Sequence, residues 1–132
     1  MRTPLLVLVG VFLLDWLSKS VLLTPHWALH ETDLTWRLTT PPLLLCCALG
    51  LLYRPLALAA AFALAGGLGN LVDAQDGFVS NPLIVQPPNT TLLSFNLADV
   101  SIVVGCVLMV CATPTIVRDV AGAWEKRKLA RA

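Results

Sequence analysis

Apolar residues gather into four long stretches along this chain, with polar residues collected between them. The first stretch covers residues 3–23 and carries Asp15 and Lys19 inside it. The second covers 34–53 and ends at Arg54-Pro55, because proline cannot continue a helix ladder. The third covers 56–73, and the fourth covers 92–112 and stops at Thr113-Pro114. Each stretch is close to the roughly 20 residues that a helix needs to cross a hydrocarbon core. The first begins like a secretory signal, but no small-residue cleavage site follows it, so a retained helix is expected. The second connection, from Asp76 to Pro82 and again at Gln86-Pro-Pro-Asn89, is made of turn formers around a β-prone piece, Leu83-Ile-Val85. The pattern predicts an all-α integral membrane protein of four transmembrane helices with a small extracytoplasmic loop or β element.

Composition agrees with that pattern. Of 132 residues, 57% are hydrophobic and only 13% charged, which is too few charges to coat a soluble domain of this size. One membrane domain over 1–132 is expected, with residues 113–132 as a cytoplasmic tail. Basic residues set its orientation: Arg2, Arg54, Arg118, Lys126, Arg127, Lys128 and Arg131 fall on one side of a four-span layout, against Arg37 on the other. By the positive-inside rule both termini are cytoplasmic and the two longer connections face outward. The tail around 117–129 reads as a helix along an anionic leaflet or as a simple stop-transfer flank. No basic patch interleaved with aromatics suggests nucleic acid. The four cysteines lack metal-binding spacing and read as small apolar packing residues.

The chemistry lies in polar residues placed where they are costly. A carboxyl within a span costs roughly 2.5–3.5 kcal/mol on insertion scales. Asp15 and Lys19, four apart and acid first, can pair on one helix face. Asn70-Leu-Val-Asp73 and Asn96-Leu-Ala-Asp99 each place an amide and an acid three apart, so each pair is expected on one helix face. Asp99 is expected about two turns into the fourth span, satisfied by Asn96, Ser101 or Lys19, or else catalytic. Gly66-Gly-Leu-Gly69 makes a smooth strip for close helix approach. His26 and His30 share a face only if their segment is helical, with Glu31 and Asp33 nearby as conceivable metal ligands; no metal site is expected. Asn89-Thr-Thr91 matches a glycosylation sequon that recurs by chance.

Three of these segments, in order, resemble motifs of the lipoprotein signal peptidase (signal peptidase II) family. Leu14-Asp15-Trp-Leu-Ser-Lys19 resembles its first-span Asp…Lys motif. Gly66-Gly-Leu-Gly-Asn70-Leu-Val-Asp73 resembles its glycine-rich Gly-Asn-x-x-Asp-Arg motif, and Phe95-Asn96-Leu-Ala-Asp99 its Phe-Asn-x-Ala-Asp motif. The resemblance implies a four-span membrane aspartic endopeptidase that removes signal peptides from lipid-modified prolipoproteins, working without metal or organic cofactor. It implies a multi-pass protein of a bacterial-type cytoplasmic membrane whose partners are the prolipoprotein signal peptide and membrane lipid, acting as a monomer. Asp99 matches the second catalytic aspartate. Asp15, Lys19, Asn70, Asp73 and Asn96 would hold the acid and the substrate. Three places depart from the pattern: Ala74 stands where the family has arginine, Asn81, in Gly77-Phe-Val-Ser-Asn81, stands where it has the first catalytic aspartate, and His30-Glu31-Thr32 is a poor match to the Asn-x-Gly-type motif of the outer loop after the first span. A homologue that binds precursor or lipid without cleaving it is the first alternative, and a small proton-linked transporter the second.

Overall fold

Leucine- and alanine-rich runs form the helices of this computed structural model, which describes residues 2–88 and 92–130, without the side chains of residues 34, 35 and 76. In chain order the helices are α1 (Arg2–Val21), α2 (Leu34–Gly50), α3 (Ala57–Asp73) and α4 (Leu97–Leu129). The strands are β1 (Leu29–Glu31), β2 (Phe78–Ser80), β3 (Leu83–Val85) and β4 (Leu93–Phe95). Short 3-10 turns at His26–Ala28 and Ala74–Asp76 precede β1 and β2. Two helices, α1 and α4, are long and apolar enough to cross a membrane, whereas α2 and α3 have 17 residues each. The sequon at 89–91 lies outside the described residues.

The central helix is α3, which packs against the other three and most extensively against α4. Its small side chains make this possible: Ala59, Ala60, Ala61 and Ala65 are all buried. Two glycines bring the backbones together. A Cβ on Gly105 of α4 would lie 2.7 Å from the Ala63 nitrogen, and one on Gly66 would collide with the Ala98 carbonyl oxygen. Leu44, Cys47, Ala63 and Leu64 form the apolar core between α2 and α3, with Met109 of α4 packed on it. Large apolar side chains such as Leu6, Leu14, Val107 and Val110 point outward. A greasy exterior over a core of small residues is the inverse of a water-soluble bundle and fits a hydrocarbon surround.

Both longer connections lie at one end of the bundle, because β1 pairs antiparallel with β2 (His30 opposite Val79). In the second connection, β3 pairs antiparallel with β4, Ile84 opposite Ser94. Gly77 makes the turn into β2 with φ +88°, a conformation that favours glycine. Its carbonyl accepts from both the Thr32 N–H and the Thr32 hydroxyl at 3.0 Å, tying the two connections together.

Several sequence expectations need correction. The fourth helix starts at Leu97, not 92, because residues 93–95 are drawn into the β3–β4 ladder. It also runs through Pro114 to Leu129 instead of stopping there. An interior proline costs about 3 kcal/mol, but here it sits within 33 otherwise helix-compatible residues. The second helix ends at Gly50, and turns carry residues 51–56 into α3. There the Tyr53 hydroxyl donates to Asp119 Oδ2 at 2.7 Å, anchoring the extension of α4. That bond to a carboxylate holds the phenol above its ordinary pKa. His26 and His30 do not share a helical face, since one lies in a 3-10 turn and the other in a strand.

Candidate functional site

The polar residues of the bundle meet where the first turn of α4 abuts α1 and α3. A helix start exposes backbone N–H groups that need partners. Asn96 is the N-cap of α4: its Oδ1 accepts from the Asp99 N–H at 2.8 Å, while Asp99 Oδ2 accepts from the Asn96 N–H at 3.2 Å. This reciprocal capping box corrects the expectation that Asn96 and Asp99 share a helix face two turns into the span. Asn96 has extended backbone, and Asp99 lies in the first helical turn. The Ala98 N–H donates to Asp15 Oδ1 at 2.8 Å, so a carboxylate from α1 sits at the positive end of α4.

Asp15 is 1% exposed, and its Oδ2 lies 2.9 Å from Lys19 Nζ. That contact is ionic, since no donor is aligned on Oδ2 as a hydrogen bond. Gly69 makes room for it, because a Cβ there would lie 2.6 Å from the same oxygen. The Lys19 ammonium also donates to Asn70 Oδ1 at 3.0 Å and lies 3.6 Å from Asp73 Oδ2. Removing one partner of a buried pair strands the other, at a cost of about 3–5 kcal/mol. Asp15→Ala is therefore expected to destabilise the protein by an amount of that order, read as a fall in thermal midpoint in detergent micelles.

Asn70 joins this pair to Asp99. Its Oδ1 accepts from Lys19 and from Asn96 Nδ2 (3.0 Å), and its Nδ2 donates to Asp99 Oδ1 at 2.9 Å. The two hydrogens of the fully buried Asn96 amide are shared among Asn70 Oδ1, the Ser80 carbonyl at 3.1 Å and Asn81 Oδ1 at 2.8 Å. Asp73 turns the other way, accepting from the Ser80 N–H and, at 3.4 Å, the Ser80 hydroxyl, and so pins the end of β2. Ser101, one of the partners considered for Asp99, donates instead to the Phe62 carbonyl at 2.6 Å. Asp15, Lys19, Asn70, Asp73, Asn81, Asn96 and Asp99 thus form one connected network.

Beside this network lies a cavity of about 280 Å³ walled by His30, Trp36, Asn70, Val79, Asn81 and Asp99. No carboxyl other than Asp99 lines it among the described residues; Asp76 is one whose side chain is not described. Each Asp99 oxygen accepts one N–H, from Asn70 and from Asn96, which orients the carboxyl while leaving lone pairs for water or substrate. Asn81, which lines the same cavity, is held through its Oδ1. Among the described residues no three His, Cys, Asp or Glu side chains converge as metal ligands.

Sequence reasoning missed His30, Trp36 and Val79 as cavity walls, because a strand pairing between distant segments brings two of them there. The capping box was findable: an Asn-x-x-Asp immediately ahead of an apolar run is a helix-start signature.

The sequence matches the family described as Signal peptidase (SPase) II over residues 26–114. No curated protein matches it. Among solved structures, the fold is similar to a bacterial membrane enzyme determined by the in meso method at 1.9 Å resolution. The TM-score is 0.68 at 21% identity, covering 86% of this chain and 93% of that one. A second bacterial membrane enzyme, determined by the same method at 2.3 Å, gives a TM-score of 0.61 at 18% identity, covering 87% of this chain and 89% of that one.

Proposed function

The chain belongs to the signal peptidase II family, and we propose from that premise that it is a lipoprotein signal peptidase-like endopeptidase. It acts on lipid-modified prolipoproteins in a bacterial cytoplasmic membrane. All four helices span the bilayer as one domain and one monomer, with both termini cytoplasmic and the β elements outside. The observation that carries the reading is Asp99 at the wall of a cavity, oriented by Asn70 and Asn96.

In this reading Asp99, as carboxylate, takes a proton from water, and the water oxygen attacks the scissile carbonyl carbon. The adjoining amide, Asn81, stands where an aspartic peptidase carries its second acid. Its Nδ2 has no partner among the described residues and is available to donate to the scissile carbonyl oxygen, but an amide gives up no proton. Turnover is therefore slow for the family. Asp15 and Lys19 hold the start of α4, Asn70 and Asn96 aim Asp99, and Asp73 fixes the β2 end that leads to Asn81. Water is the only co-reactant this chemistry needs.

Asn81 also favours a second reading, in which the protein binds the lipid-modified precursor without cutting it. Incubating the purified protein in micelles with a diacylglyceryl-modified prolipoprotein separates the two. Slow release of the signal peptide, absent when the precursor lacks its lipid, is the expected result. Retained binding with no release on prolonged incubation assigns the protein to the second reading.

A further inference from the structure

The Asp99 cavity has one further titratable wall. His30 is the middle residue of β1, set opposite Val79 in the β1–β2 ladder. Its side chain is exposed and makes no hydrogen bond among the described residues. Of the charged groups nearby, Glu31 follows His30 on the same strand, and Arg37 of α2 lies close to Gly77 at the turn into β2. Trp36 comes from α2, Asn70 from α3, Val79 from β2, and Asn81 follows that strand; the one charged side chain that lines the cavity with His30, among the described residues, is Asp99 at the start of α4. Lys19 is engaged by Asp15 and Asn70, and Asp73 by Ser80. Glu31 and Asp33 follow His30 in sequence, and Asp33 is occupied capping α2 at the Trp36 N–H.

We propose that His30 performs the proton transfer that Asn81 cannot, so that the working pair in this chain is a carboxylate and an imidazole. The inference rests on the peptidase reading above. Imidazole is suited to the task because its ring nitrogens can both give up and take back a proton, which an amide cannot do. Asp99 takes a proton from water while the water oxygen bonds to the scissile carbonyl carbon. The carbonyl oxygen receives a proton from the His30 imidazolium. When the tetrahedral adduct collapses, the C–N bond breaks and the leaving amine takes the proton now on Asp99. One hydroxyl of the adduct returns its proton to His30, leaving the carboxylic acid. One water is consumed, both side chains regain their starting states, and nothing is oxidised or reduced.

The arrangement explains how a site with an amide in place of an acid can retain two proton-transfer groups. It also gives a role to an imidazole whose ring makes no hydrogen bond among the described residues.

The test compares cleavage of the diacylglyceryl-modified precursor by the unmodified protein, His30→Ala, Asn81→Asp, and the combination of the last two. His30→Ala is expected to lower kcat roughly 10²-fold or more, with KM little changed, as for loss of a positioned acid. Added imidazole restores part of the loss, and Asn81→Asp restores turnover in the His30→Ala background. An unchanged rate in His30→Ala overturns the assignment. So does a loss that neither imidazole nor Asn81→Asp recovers. Cleavage by Asn81→Asp with none by the unmodified protein overturns the role of His30 and leaves the peptidase site standing. Absence of cleavage by both overturns the peptidase reading itself.

Discussion

Replacing Asp99 by asparagine is expected to lower turnover of a lipid-modified precursor by roughly 10²–10⁴-fold, the usual effect of losing a positioned general acid or base. Asn70 donates to one Asp99 oxygen and the Asn96 N–H to the other, so the site has two donors aimed at this carboxyl. Asparagine is nearly the same shape but offers one oxygen, so one of those bonds is lost. A lost hydrogen bond of this kind costs about 1–3 kcal/mol when a group is left unsatisfied. The rest of the start of α4 is independent of the substitution: Asn96 still accepts from the backbone N–H of residue 99, and Asp15 still accepts from Ala98. The variant should therefore remain folded and bind precursor while ceasing to cut it. Cleavage rate and thermal midpoint measured on the same preparation separate these effects.

Asn81→Asp is expected to act in the opposite direction and raise turnover roughly tenfold or more. One carboxylate oxygen takes over the acceptor role of Asn81 Oδ1 toward Asn96, so little repacking is required. The other replaces an amide nitrogen in the cavity that Asp99 also lines. Two carboxyls placed together share a proton, one serving as base and the other as acid, which is the arrangement of aspartic peptidases. A gain of function is a demanding test, because few substitutions in an unrelated site would produce one. The measurement is the initial rate of signal-peptide release at a fixed detergent-to-protein ratio, compared over a range of acidic to neutral pH.

Much of this site is legible in the sequence because it depends on short spacings. Asp15 and Lys19 are one helical turn apart, and the structure pairs them at 2.9 Å. A break near Arg54-Pro55 is legible, but α2 already ends at Gly50 and the turns of residues 51–56 hold Pro55, whereas Pro41, Pro42 and Pro114 lie inside helices. The glycine strip ends at Asn70 for a physical reason, since Gly66 and Gly69 admit α4 and the Asp15 carboxylate. What is not legible depends on pairing between distant segments. Leu92 and Leu93 extend the apolar run of the fourth helix, and only the ladder with β3 marks residues 93–95 as a strand. That ladder moves the helix start to Leu97 and converts Asn96 from a helix-face residue into a cap. The two Asn-x-x-Asp copies are thus alike in spacing and unlike in structure. Asn70 and Asp73 belong to the last turn of α3, whereas Asn96 and Asp99 close the first turn of α4. His30 reaches the cavity through β1–β2 pairing across 49 residues, counted from the His30–Val79 register, and no local pattern announces it.

The central claim is that Asp99, in the cavity it shares with Asn81, works on a peptide bond of a lipid-modified precursor. Mass-spectrometric identification of the product made by Asn81→Asp, with Asn81→Asp/Asp99→Asn beside it, tests that claim most directly. The expected result is a new N-terminus at the lipid-modified cysteine from the single variant and intact precursor from the double variant. An intact precursor from both, or equal cleavage by both, would contradict it.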